Sequence, residues 1–130
     1  MLTVEFQNDF KMDPLNKKTI DELLKLTGGD ESVLIELFES FIADGKQLSG
    51  GIKTAADSSN LEKLKFDVHT LKGLCGTIGA NSLFEVCKLL NDDIIVGKYD
   101  EIVPLANKVV KNYEDLVTYI LSNYDIKYEA

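Results

Sequence analysis

The sequence predicts an all-α protein, an antiparallel up-down four-helix bundle with a short extra N-terminal helix. Two observations carry this. After residue 13 the apolar residues recur at spacings of three and four, and no segment sustains the alternation of a strand. The periodic segments are separated by short Gly-, Asn- and Ser-containing breaks, which suit tight connections between antiparallel neighbours. At 130 residues the chain is one domain long, and its 45% hydrophobic content can fill a single core.

The elements follow in order. Residues 1–13 mix single apolar and polar residues and read as a tail, and residues 125–130 read as a second tail, leaving the bundle over 14–124. Asp13-Pro14 reads as an N-cap followed by proline at the first helical position, opening a short helix to about Leu26 that Gly28-Gly29 closes. Asp30 caps the next helix, whose apolar stripe is Leu34, Leu37, Phe38, Phe41, Ile42, Leu48, Ile52 and Ala55. Gly45 and Gly50-Gly51 weaken it and predict a kink or an early end near residue 50. Ser59 and Glu62 stand as a capping box before a helix bearing Leu61, Leu64, Val68, Leu71, Cys75 and Ile78, with Gly79 as its C-terminal stop. Asn81 or Ser82, with Glu85 following, caps a helix with Leu83, Val86, Cys87, Leu90 and Ile94, ended by Gly97. The last helix spans about 101–123, with Pro104 confined to its first turn.

Charge narrows the function. Acidic residues outnumber basic ones 22 to 14, for a net charge of -8, and every basic residue is Lys. An acidic chain without Arg is a poor nucleic-acid or anionic-membrane binder. No apolar run reaches the roughly 20 residues of a membrane span. The opening MLTVEFQNDFK has no basic segment followed by an apolar one, so the expected location is the cytoplasm. Cys75 and Cys87 lie on core stripes without zinc-like spacing, so no metal site is expected. No phosphate-binding loop, GxGxxG, HExxH or GxSxG string occurs.

The one histidine, His69, is the residue of interest. On a wheel of 100° per residue it falls about 130° from the centre of the core stripe, on an exposed flank. Gly73, Gly76 and Ala80 share that flank, with Lys65 and Lys72 along its edge. Each interior helical Gly costs about 1 kcal/mol relative to Ala, so a bare strip beside an exposed His favours close approach of another surface over packing within the chain. An imidazole there is a nucleophile that can accept and return a phosphoryl group, and Lys72, one turn on, can offset its charge. Phe66 and Phe84 fall off their core stripes toward His69, as an apolar docking patch or as packing at the bundle edge.

The string His69-Thr70-Leu71-Lys72-Gly73, followed by Gly79, Ala80 and Leu83, closely resembles the signature of histidine-containing phosphotransfer (HPt) domains. Leu37, Phe38 and Phe41 resemble the helix that precedes the site in that family. The resemblance implies a phosphorelay carrier rather than an enzyme. His69 takes a phosphoryl group from a receiver-domain aspartate of a response regulator or hybrid histidine kinase and gives it to another. The carrier is a monomer that binds no nucleotide, and the Mg²⁺ of transfer belongs to the receiver. Lys72 contacts the phosphoryl group, Gly73 leaves room for the receiver's loops, and Asn91 is the matching polar residue on the following helix. Leu74 departs from the small residues common in the family. Two rival readings are the phosphotransfer portion of a larger hybrid or chemotaxis-type kinase, and a structural adaptor bundle in which His69 is incidental.

Overall fold

The computed structural model describes residues 14–127. The expected 1–13 tail and the Asp13 cap lie outside them. The described residues form five helices: α1 (Lys17–Leu26), α2 (Glu31–Asp57), α3 (Leu61–Ile78), α4 (Asn81–Val96) and α5 (Ile102–Asn123), with a 3₁₀ turn at Tyr99–Glu101. Among these residues there is no strand.

The four long helices close a ring. α3 packs between α2 and α4, and α5 completes the circuit against both α2 and α4. Short connections between successive helices make neighbours antiparallel. The centre of α3 is dry: Leu64, Val68, Leu71 and Cys75 are fully buried, as are Phe38, Ile52, Leu83, Leu90, Val109 and Ile120 on the facing helices. Burying each large aliphatic or aromatic side chain contributes about 1.5–3 kcal/mol, so the apolar stripes dominate the assembly.

α2 runs unbroken for 27 residues, without the end expected near residue 50. Two of its glycines are there for space. A side chain at Gly45 would run into the Tyr113 ring of α5, and one at Gly51 would run into the Asp67 carboxylate of α3. The Tyr113 hydroxyl donates to the Ile42 carbonyl, fixing α5 against α2. Close approach of helix backbones repays the low helix propensity of these positions.

Several caps differ from the sequence reading. α1 starts at Lys17, three residues past Pro14, and its cap is Asn16, which accepts from the Thr19 N–H at 2.9 Å. Asp30 caps α2 as expected, accepting from the Ser32 hydroxyl at 2.7 Å and the Ser32 N–H at 2.9 Å; these hydrogen bonds hold its carboxyl below the usual range. At α3 the cap is Asn60, accepting from the Lys63 N–H at 3.2 Å, while Ser59 is left-handed at φ 58. α4 has Ala80 at its N-cap and no side-chain cap. The turn before it is shaped by Gly79, left-handed at φ 74, whose carbonyl accepts from the Asn16 N–H at 2.7 Å. α1 is thereby pinned to the α3–α4 turn, with Thr19 seated against Gly79 and Leu15 and Ile20 buried.

The chain does not leave the bundle after α5. The Tyr124 ring lies 4.7 Å from that of Phe38, Ile126 packs on the core, and the Lys127 N–H donates to Glu39 at 3.0 Å. Residues 125–127, read from sequence as the start of a tail, return to α2.

Candidate functional site

α3 carries the site because its two faces divide sharply. Val68 and Leu71 are completely buried, while His69, between them in sequence, is exposed. The periodicity of a straight helix does this without help from loops. A groove of about 630 Å³ opens beside His69, lined from α3 by Glu62, Lys65, Phe66, His69 and Lys72, and from α4 by Asn91 and Ile95. Asn91 is 8% exposed and lies deepest in this groove, whereas Phe66 is 69% exposed and Ile95 60% exposed at its walls.

His69, Lys65, Lys72, Phe66 and Asn91 are thus brought together. Gly73 and Gly76 lie outside the groove, on the exposed side of α3 one and two turns beyond His69. A methyl group at either would meet none of the described residues within 4 Å, which excludes packing among them as the reason for glycine. Ala80 does not continue this strip. The helix ends at Ile78, Gly79 turns the chain, and Ala80 is fully buried. Phe84 takes the second of the two places open to it from sequence, packing at the bundle edge. It is half-buried against the core, and the Lys72 ammonium lies 5.9 Å from its ring centroid. Leu74 points away from His69, packing on the core and lining a separate groove on the α2 side with Asp44, Lys63 and Asp67.

Glu62 and Ile95 were not anticipated. Both follow from register: Glu62 is two turns before His69 on α3, and Ile95 one turn after Asn91 on α4. Asp67 was also missed. It is 5% exposed on the α2 side of α3, paired with Lys63 at 2.7 Å beneath Gly51. It shapes the helix pair and takes no part in the groove.

Two lysines stand beside His69. Lys53, Lys63, Lys88 and Lys111 each pair with an Asp one turn along their helices. Among the described residues Lys65 and Lys72, like most other lysines, have no such pairing, so two ammonium groups flank His69, with the Glu62 carboxylate lining the same groove. Cys75 and Cys87 are buried and free; the hydrogen bond between the Cys75 thiol and Cys87, then burial, pushes the Cys75 thiol up, away from reactivity. Among the described residues no group of three or more His, Cys, Asp or Glu could hold a metal ion. No described helix is long and apolar enough to cross a membrane.

An accessible imidazole in a groove, with cations beside it and bare backbone beyond, suits transient bonding of an anionic group. The comparisons agree. Residues 36–118 match the family model described as Hpt domain. The crystal structure of histidine-containing phosphotransfer protein B (HptB) from Pseudomonas aeruginosa PAO1 superposes with a TM-score of 0.77 at 17% identity, covering 86% of this chain and 95% of that one. At that identity the likeness speaks for the fold. No curated protein matches the chain significantly. The family match spans well over half the sequence and includes the His69 helix entire, and the chain accordingly belongs to the Hpt domain family, whose role is histidine phosphotransfer in phosphorelay signalling.

Proposed function

We propose that His69 is the residue that carries the phosphoryl group, taking it from the aspartyl phosphate of one receiver domain and delivering it to the aspartate of another. The observation that carries this reading is the exposed imidazole between two lysines, beside two glycines where an added methyl group would meet none of the described residues. The lone pair of His69 Nε2 attacks phosphorus. The P–O bond to the donor carboxyl breaks, its electron pair leaves on the carboxylate, and an N–P bond forms. The second transfer reverses these steps onto a new carboxylate.

Lys72 and Lys65 offset charge on the phosphoryl oxygens, and the Asn91 amide donates to them from the groove floor. Gly73 and Gly76 let the receiver's loops reach the imidazole, and Phe66 with Ile95 offers apolar surface to the same partner. The Mg²⁺ of the reaction resides on the receiver, and the carrier is a cytoplasmic monomer without kinase activity of its own.

A receiver domain phosphorylated in the presence of Mg²⁺ tests this. Label should pass to the protein as an acid-labile, alkali-stable phosphoramidate, and ATP alone should give none. His69→Gln should fold normally, because the side chain is exposed, and take no label. Label on that variant would place the acceptor elsewhere.

A further inference from the structure

We propose that Phe84 is a positioning residue for phosphotransfer, holding the Lys72 ammonium beside His69 without neutralising it. This rests on the reading of Lys72 as the group that meets the phosphoryl oxygens. Phe84 opens α4, one helix away from His69, and its ring packs on the core on one side while the Lys72 ammonium lies 5.9 Å from its centroid. The face of an aromatic ring carries partial negative charge and attracts an ammonium, while leaving its three N–H groups free to donate.

The chemistry of the partner, an aromatic face where four other lysines have a carboxylate, is the argument. Lys53, Lys63, Lys88 and Lys111 are held by aspartates four residues on. At Lys72 the position four residues on is Gly76, which offers no side chain, and the structure supplies an aromatic face from the next helix instead. A carboxylate there would cancel the charge and compete with the phosphoryl group for the same donors. A flexible lysine with no partner would spread over many rotamers and lose freedom on engaging the phosphoryl group. The ring restricts the stem and preserves the charge.

The test needs no receiver. Potassium phosphoramidate phosphorylates an accessible imidazole directly: the His69 Nε2–P bond forms as the donor's N–P bond breaks, and protonated nitrogen leaves as ammonia. The rate of labelling, followed by intact mass, is measured for wild type, Phe84→Leu, Phe84→Trp, Lys72→Ala and both Phe84 variants combined with Lys72→Ala. Phe84→Leu should slow labelling about two- to fivefold when Lys72 is present and leave it unchanged when Lys72 is Ala. Phe84→Trp should match or exceed wild type with Lys72 present, because indole binds cations best. If Phe84→Leu loses its helical spectrum, the Trp pair decides alone: a slowed Phe84→Trp, or one whose rate is unaffected by Lys72→Ala, overturns the proposal. Equal slowing by Phe84→Leu in both backgrounds, or no slowing in either, overturns it too. His69→Gln labelled like wild type would instead overturn the acceptor assignment.

Discussion

Gly73 sets stability against function at a single residue. It is exposed, interior to α3, and a methyl group there would meet none of the described residues within 4 Å. Gly73→Ala should therefore stabilise the fold by about 0.5–1 kcal/mol, through helix propensity and a less disordered unfolded chain. Urea denaturation measures it, and a destabilised Ala variant would show that the position is not open. A long side chain adds the same propensity and obstructs the partner. Gly73→Gln should melt at or above the wild-type temperature yet exchange phosphoryl groups with a receiver at least about tenfold more slowly, since a misplacement of about 1 Å costs on the order of 100-fold in rate. Undiminished transfer by folded Gly73→Gln would mean this strip is not where the receiver sits. His69 and the glycines were legible from sequence because exposure on a straight helix depends only on period. Phe84 was not: the period placed it off the core stripe, but which neighbour its ring meets depends on how α3 and α4 are set against each other.

At the scale of elements, the starts of the helices were the weakest part of the sequence reading. Ser59 and Glu62 fit a capping box by type and spacing, but Ser59 is left-handed and Asn60 makes the capping bond to Lys63. The chain reverses over 58–60 between two packed helices, and that geometry, not local preference, chooses which residue faces the first free N–H groups. Asn60→Ala should cost about 1 kcal/mol and Ser59→Ala much less, the reverse of what a Ser59 cap demands. Replacing Ser59 with Gly should stabilise by up to about 1 kcal/mol by relieving the left-handed backbone. Thermal melts of the three variants separate the alternatives. The same contrast holds inside α2. Gly50→Ala, on an exposed face, should stabilise by about 0.5–1 kcal/mol. Gly51→Ala should be at least about 1 kcal/mol worse than Gly50→Ala, because its methyl displaces the buried Asp67 carboxylate from Lys63.

For the whole molecule, the core links stability to pH. Cys75 is fully buried with its thiol pushed up by Cys87 and by burial, and burial likewise raises the Tyr124 phenol. In the unfolded chain a thiol releases its proton near pH 8.5, about where the native protein still holds it. The unfolded state then binds fewer protons than the native one, so stability is full below that pH and falls as pH rises. Between pH 7.5 and 9.5 the loss from Cys75 should be about 1.4 kcal/mol, with Tyr124 adding to it only above about pH 10. Urea midpoints across this range measure it. Cys75→Ala should lower stability throughout while flattening the slope, and a flat wild-type profile would mean the thiol is exposed to water.

What the sequence determined by itself is whatever depends on period and on short motifs. The five helices, the core stripes, the exposure of His69 and the resemblance over residues 69–83 are all properties of one helix or one contiguous string. Tertiary structure decided whatever depends on two helices meeting. It made Gly45 and Gly51 contact points instead of breaks, turned Ala80 inward, carried Leu74 to the far groove, set Asn91 and Ile95 opposite His69, and placed Phe84 under Lys72. The reason is physical: a helix's period fixes the direction of each side chain around its own axis, but the distance and register to a neighbouring helix are set only when all four apolar stripes are buried at once.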